Sequence, residues 1–340
     1  MTAIEYRLIP LERCLDDAIR FRNANRSLER DHAYFEWRYC ARPCRTAALV
    51  AWAFERDVPV GAASIGAHDF AIDGTIYPLG VVGDISVAES HRGKGVARGM
   101  LAHVRERLPR EFGGAFVLPN EAATGPLKQA GWRTVGHLRR AVRLLTAPVS
   151  AAAGGPRAAL RGLLARTLNV CERVAALRIG KRSTLIELDR PDERFDGLWE
   201  ASVRRCRTAG VRTSAYLRWR YFEHPTEHFR LLATTSGSLV RAYAIVQCEG
   251  AKLMIVDYLA GEKLAGLELG VELLRWAKAG NRFEQAQVRT FSRGDPIVPW
   301  VTLGFFQRPD TQPCMVAETN PAVGSIVADN WFLTAGDKDV

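Results

Sequence analysis

The stretch AYFEWRYCARP, from Ala33 to Pro43, returns as AYLRWRYFEHP from Ala215 to Pro225. Ala, Tyr, Trp, Arg, Tyr and Pro hold the same places in both. Further landmarks repeat in register. Asp84 to Leu101 spans the same interval as Asp257 to Leu274, and Leu101 to Gly131 the same as Leu274 to Gly304. Phe305 follows Gly304 where Trp132 follows Gly131, and Pro299 answers Pro126. A shared turn could produce one such match; several in register indicate duplication of a structural unit. A chain of 340 residues has room for two such units.

The local patterns are mixed α/β. Helical periodicity runs through PLERCLDDAIRFRNANRSL, and strands separated by turns near Asp57 and Asp73-Gly74 follow from Ala47 to Ala88. Met100, Leu101, Val104 and Leu108 mark one apolar helical face, GGAFVL reads as a buried strand, and a helix is expected near TGPLKQAG. TAPVSAAAGGPR is a small-residue break. The expected division is therefore residues 1–147, a basic helical linker over 148–182, and 183–340. In the linker helix Leu160, Leu163, Leu164, Leu168, Val170 and Val174 are expected to face protein, with a membrane-surface role as the alternative.

Apolar residues make up 47% and charged residues 25%, the balance of a soluble globular protein. The N-terminal MTAIEYRLIPLERC has no apolar h-region, so no signal peptide is expected, and no apolar run approaches the roughly 20 residues of a membrane span. The seven cysteines are odd in number and scattered, and Cys40/Cys44 have neither zinc nor redox spacing. A reducing, cytoplasmic setting and no metal are the expectation. The net charge of +10 suits a polyanionic ligand, or else mere solubility; charge alone decides nothing.

Chemistry concentrates in GDISVAESHRGKGVARGML, residues 83–101. An apolar strand ends at Val87, and a Gly-rich basic loop opens directly into a helix. Gly93 and Gly95 let backbone N–H groups converge on an anion, and the first helical residues, Val96 and Ala97, add unpaired N–H groups at the positive end of the helix dipole. Arg92 and Lys94 add formal charge. This is a pyrophosphate cradle without the Lys-Ser/Thr ending of nucleotide hydrolases and without the spacing of a dinucleotide fold.

The loop resembles motif A of the GNAT superfamily of acyl-CoA-dependent N-acyltransferases, Arg/Gln-x-x-Gly-x-Gly/Ala, through Arg92, Gly95 and Ala97. Downstream, FVLPNEAATGPLKQAGWRTVG supplies the Asn and the Gly-aromatic pair typical of that family, as Asn120 and Gly131-Trp132. The resemblance implies two tandem GNAT-like domains of class α/β (α+β), each a mixed, mostly antiparallel sheet flanked by helices. It implies acetyl-CoA as acyl donor, bound by Ile85, Val87, Arg92, Gly93, Lys94, Gly95, Val96, Ala97 and Asn120. The backbone of Ile85 and Val87 would pair with the pantetheine amides, and an amine would attack the thioester directly in a ternary complex. Asp84, on the strand leading to the loop, is the candidate base. Asn120 is equally readable as a plain helix cap, and Asp84 as a structural strand-edge residue that repeats as Asp257. His68, Asp69 and His91 are weaker candidates.

One departure stands out. Where many family members carry a Tyr as general acid, four residues before the Gly, this chain has Leu127. The second copy departs further: Ala265 replaces Arg92, Glu268 replaces Gly95, Gly270 replaces Ala97 and Arg293 replaces Asn120. That copy cannot cradle pyrophosphate. The repeated Trp-Arg-Tyr element predicts helix-end packing, with Arg38 and Arg220 available to pair carboxylates and a direct substrate role as the alternative. Three functions follow: an N-acyltransferase acting on a small-molecule amine, an acyl-CoA-binding regulator without turnover, or an aminoacyl or peptidyl transferase acting with tRNA. The intact loop argues against the last, and with it against nucleic acid.

Overall fold

The computed structural model describes residues 3–146, 156–179, 183–280, 282–291, 297–318 and 331–338. The first half opens with β1 (Glu5–Pro10), α1 (Leu15–Ala24) and a short α2 (His32–Phe35) that widens into a π-helical turn over Glu36–Cys40. Three antiparallel strands follow: β2 (Leu49–Glu55), β3 (Val58–Ile72) and β4 (Thr75–Val87). Their connections fall where turns are expected and are two residues long, Arg56-Asp57 and Asp73-Gly74, all four residues at positive φ. Such turns match the right-handed twist of the strands they join. Next come α3 (Val96–Arg107), β5 (Gly114–Val117), α4 (Glu121–Gln129) and β6 (Arg133–Leu144). Met100, Leu101, Val104 and Leu108 are all buried, as their spacing predicts.

After α5 (Pro156–Ile179) the plan repeats. β7 (Thr184–Leu188) and α6 (Arg194–Val203) precede the small β8 (Thr208–Gly210), and α7 (Ser214–Leu217) runs into a second π-helical turn over Arg218–Phe222. The antiparallel set β9 (Arg230–Ser236), β10 (Leu239–Glu249) and β11 (Lys252–Ala260) leads to α8 (Lys263–Ala279), β12 (Gln285–Phe291), β13 (Phe306–Glu318) and β14 (Trp331–Phe332).

One sheet runs through both halves, in the order β1-β2-β3-β4-β5-β13-β6-β12-β11-β10-β9-β7. The order is palindromic about the antiparallel β13–β6 pair. Each half gives its last strand to the other: β5 pairs with β13, and β12 pairs with β6. Each copy carries a β-bulge close to the repeated Asp: on β4 it takes in Asp84 and Ile85, opposite Ala62–Ser64, and on β11 it takes in Val256, next to Asp257 and opposite Ile245–Val246. The Pro-to-aromatic turns also agree bond for bond. Ala130 N–H donates to Pro126 O, Gly131 to Lys128 O and Trp132 to Leu127 O; Leu303 donates to Pro299 O, Gly304 to Val301 O and Phe305 to Trp300 O. Gly131 and Gly304 take φ of +84° and +82° there, a conformation that favours glycine.

The repeated Trp-Arg-Tyr element lies on the pseudo-twofold axis. Trp37 Nε1 donates to Trp219 O at 2.8 Å, and Trp219 Nε1 donates to Trp37 O at 2.7 Å, with the indoles stacked at 5.5 Å. Arg42 lies over the Trp219 ring and its counterpart His224 against Trp37. The wide π turns present carbonyls that the partner indole satisfies. The predicted helix-end packing is thus packing of one copy on the other.

The linker helix differs from expectation. Of its apolar residues Leu168 and Ile179 are buried, while Leu163, Leu164, Val170 and Val174 are exposed; the Leu160 side chain lies outside the described residues. Arg143 of β6 explains this. It is fully buried and donates to Glu172 at 2.9 Å and to the carbonyls of Leu168 and Leu303, so the helix turns the face of Leu168 and Glu172 inward and leaves Leu163 and Leu164 outside. A buried guanidinium needs that partner more than the leucines need burial. No helix among the described residues is long and apolar enough to cross a membrane.

Candidate active site

β4 and β5 are parallel and pair only over Leu79–Val81 with Gly114–Phe116. Beyond that point β5 follows β13, while β4 continues to Val87 without it. The sheet splits there. The split opens into a cleft of about 900 Å³, with Val82–Ile85 and Val87 on one wall, Val117–Asn120 on the other, and the start of α3 across its mouth.

At the mouth stands the predicted cradle. Gly93 and Gly95 take φ of +75° and +82°, and Gly95 is the left-handed residue from which α3 starts. No side chain caps this helix and no acid lies in its first turn. Its first N–H groups therefore have no partner of their own and point to solvent or ligand. Arg92, Gly93, Gly95, Val96 and Ala97 line the cleft, as does Arg98, which sequence reasoning missed; Lys94 does not. A Cβ on Gly95 would stand 3.6 Å from the Arg98 guanidinium, inside the space an anion would fill. The residues fit a pyrophosphate.

The strand edge is covered by arginines. Arg26 donates to Ile85 O at 2.9 Å and Arg92 to Val87 O at 3.2 Å. Those are the two residues expected to pair with an extended ligand, so a ligand on this edge must move both side chains.

Asp84 lies at the bulge with φ of +48°, in the left-handed region that a non-glycine residue enters at a cost of about 1–2 kcal/mol. Its carboxylate accepts from Arg22 Nε at 3.0 Å and from the Tyr39 hydroxyl at 2.8 Å, with Arg38 at 3.6 Å. Burial pushes its pKa up, but Arg38 and Arg22 outweigh that and hold it below the ordinary carboxylate value. Burial raises the Tyr39 hydroxyl far above its usual range. Arg38, on the repeated element, therefore does face a carboxylate. Arg220 does not: it donates to Gly336 O and Lys338 O.

Asn120 is both a cap and a wall. Its side-chain oxygen accepts from Ala123 N–H at 3.0 Å at the start of α4, and the residue lines the cleft. Leu127 is fully buried in the core, so no hydroxyl stands at the position where the resemblance would lead one to expect a tyrosine. His68 is buried in β3 and stacked on Tyr216, away from the cleft; Asp69 also lies outside it, and His91 is on its rim near Glu55.

The second half contributes Gln312 and Lys338 to the cleft. Gln312 donates to Leu118 O at 2.7 Å and Pro119 O at 3.2 Å, holding the strand where it leaves the split. No signal in the sequence links these residues to the loop, because β13 reaches the site only through the strand exchange.

Among the described residues the second half shows no such cradle at the matching place. α8 starts at Lys263, the counterpart of Ser90, so the loop is replaced by helix. Glu268, at the Gly95 position, is buried and accepts from Arg241 at 2.9 Å and Ser183 at 3.0 Å. The helix lies so close to the following segment that a Cβ on Gly266 would fall 2.0 Å from Ile297 O. Arg293 lies outside the described residues. No group of three or more His, Cys, Asp or Glu is placed to hold a metal ion among the described residues.

Residues 11–132 match the family model described as acetyltransferase (GNAT) family. Solved structures share the fold of nearly the whole chain. A GCN5-related N-acetyltransferase from Anabaena variabilis aligns at TM-score 0.66 and 11% identity, over 94% of this chain and 74% of that one. A probable N-acyltransferase from Enterococcus faecalis aligns at 0.64 and 11%, over 95% and 74%. Saccharomyces cerevisiae N-myristoyltransferase, solved with myristoyl-CoA bound, aligns at 0.54 and 12%, over 94% and 83%. No curated protein sequence matches.

Proposed function

We propose, from the match of residues 11–132 to the acetyltransferase (GNAT) family model, that the protein transfers an acyl group, acetyl in the simplest case, from acyl-CoA to the primary amine of a small molecule, such as an amino sugar or specialised metabolite, in the cytoplasm. One observation carries the reading: an uncapped helix start with left-handed Gly95 opens onto the same cleft as the split between β4 and β5. The pyrophosphate would lie against Gly93–Ala97 with Arg92 and Arg98, and Asn120 would stand beside the pantetheine arm with its amide N–H₂ still available.

In this reading the amine nitrogen attacks the thioester carbonyl. The C–N bond forms, the C–S bond breaks, and the CoA thiolate leaves with its electron pair. The protein positions the reactants and accepts the ammonium proton. Asp84 is the carboxylate at hand. Because Arg38 and Arg22 hold it ionised and make it a weak base, it acts best through water. The same surplus of positive charge disfavours an ammonium in the cleft and so favours the free amine that attacks. With Leu127 buried, the thiolate departs without a tyrosine acid.

A second reading, an acyl-CoA-binding regulator without turnover, draws on that missing hydroxyl. The aminoacyl or peptidyl transferase reading is weakened by the intact cradle. Acetyl-CoA turnover against a panel of amines, read as thiol release, separates them. Release that depends on the amine supports the enzyme; binding of acetyl-CoA without release supports the regulator; failure to bind overturns both.

A further inference from the structure

Besides the cradle residues, the cleft is lined by cations that neither acyl-CoA nor the chemistry of acyl transfer accounts for. Arg30 lines it, with its backbone fixed at both ends by the Asn23 side chain, at 3.0 Å and 2.8 Å. Its guanidinium lies 4.2 Å over the Tyr34 ring, its Nε is buried without a hydrogen-bond partner, and no carboxylate among the described residues pairs with it. Tyr34 in turn receives a hydrogen bond from Arg38, which ties Arg30 to the Asp84 end rather than to the cradle. Lys338, supplied by the second half, joins the same cleft to an adjoining groove that also contains Arg289 and Lys128. Its backbone is held by Arg220 and Ala335, and no acid among the described residues pairs with its ammonium. Burial and then Arg289 push its pKa below the ordinary lysine value.

The acids present do not balance these cations. Asp84 is the sole carboxylate lining the cleft among the described residues, and Arg22 and Arg38 already neutralise it. In the groove Asp310 is paired with Arg140 at 2.9 Å, and Glu121 lies in the first turn of α4, where the helix dipole is its counter-charge. Half-buried cations left without counter-ions are unfavourable alone and become favourable when a ligand anion joins them.

Resting on the acyltransferase reading, we infer that the acceptor is an amine that also carries an acidic group, a carboxylate or a phosphate, seated between Arg30 and Lys338 with its amine toward Asp84. The half without a cradle then has a share in the reaction, because it supplies one side of the acceptor site.

Full-length protein saturated with CoA, which cannot react, is titrated by calorimetry with matched amines: glutamate against its dimethyl ester, and glucosamine 6-phosphate against glucosamine. The acidic member of at least one pair is expected to bind about 10- to 100-fold tighter. Arg30→Gln with Lys338→Gln should remove that preference, with CoA affinity as the control for folding. Competition between the two acidic ligands distinguishes carboxylate from phosphate recognition. Equal or tighter binding of the neutral members, no binding of either acidic amine, or a preference that survives the double substitution overturns the proposal. Failure of the acyltransferase reading looks different: acidic amines bind to the CoA complex, yet acetyl-CoA yields no thiol with any amine.

Discussion

The loop between β4 and α3 and the junction between β11 and α8 occupy the same place in two halves that share strand order, bulge and turn hydrogen bonds. In the first half a left-handed glycine starts the helix late, and the strands beside it split into a cleft. In the second, Ala-Gly-Leu-Glu-Leu continues as helix up to two residues from the strand, and Ile297 and Val298 fill the space beneath it. The framework tolerates either outcome because both bury their apolar residues. A few residues decide whether the same scaffold opens a cleft at the helix start or packs a helix there. The carboxylates make the same point. Asp84 borders the cleft; Asp257, its counterpart, is wholly buried, bound to Arg212 at 3.1 Å, Thr334 at 2.8 Å and Tyr243 at 3.1 Å.

That pair offers the largest expected contrast. Asp84→Asn should lower kcat by about 10²–10⁴-fold at neutral pH. The loss should shrink as pH rises and free amine accumulates, and the lowered pKa means that Asp84 itself adds no limb to the rate profile near neutrality. Asp257→Asn should leave the chemical step unchanged and remove about 3–5 kcal/mol of stability, since it strips a buried arginine of a partner. Paired pH–rate and denaturation curves test this; equal mild effects on rate would make both residues framework.

Gly95→Glu writes the second half's residue into the first. It forces a side chain into the left-handed region and sets a carboxylate against the pyrophosphate, so CoA affinity should fall at least ~100-fold. Wild-type calorimetry should give one site per chain, and two sites would break the comparison. Arg92→Ala, which copies the second half's Ala265, should raise the KM for acetyl-CoA by about 10- to 100-fold and change kcat less. An unchanged KM would remove Arg92 from the cradle.

The two tryptophans test the symmetry rather than the asymmetry. Trp37→Phe and Trp219→Phe each leave one carbonyl unpaired at the pseudo-twofold axis, and each should cost about 1–3 kcal/mol in denaturant unfolding. Very unequal costs would mean that the two indole bonds are not equivalent. The smallest expected effect lies at His224, whose ring accepts backbone N–H bonds from Thr226 and Glu227. Burial, with Arg220 nearby, lowers its pKa to about 4. A group that takes up its proton less readily when folded stabilises the fold above its unfolded pKa, near 6.5, and that contribution is lost as pH falls toward 4. Acidification over this range should lower Tm by about 2–4 °C more in the wild type than in His224→Gln.

Much of the molecule was legible beforehand. The two hairpin turns, the apolar face of α3, the cradle glycines and the helix after them are local features: their causes lie within a few residues of one another, and a sequence displays them directly. The repeat was legible as well, because duplication leaves spacing behind even after the chemistry of one copy has gone. What the Trp-Arg-Tyr element does could only be narrowed, since the answer is the other copy of itself, 182 residues away.

The sequence by itself determined that a duplicated α/β unit kept one glycine-rich turn into its helix and lost the other, because loop conformation follows from which residues can adopt positive φ. Only the tertiary structure decided which strands lie side by side. β6 and β13 are alike in length and character, so nothing local distinguishes pairing with one's own half from pairing with the other. Their exchange brings Gln312 to the cleft, and the fold of the second half brings Lys338 there. Tertiary packing likewise turned Arg22 and Arg38 onto Asp84, because a carboxylate buried at a bulge requires cations that the chain could supply only from distant helices.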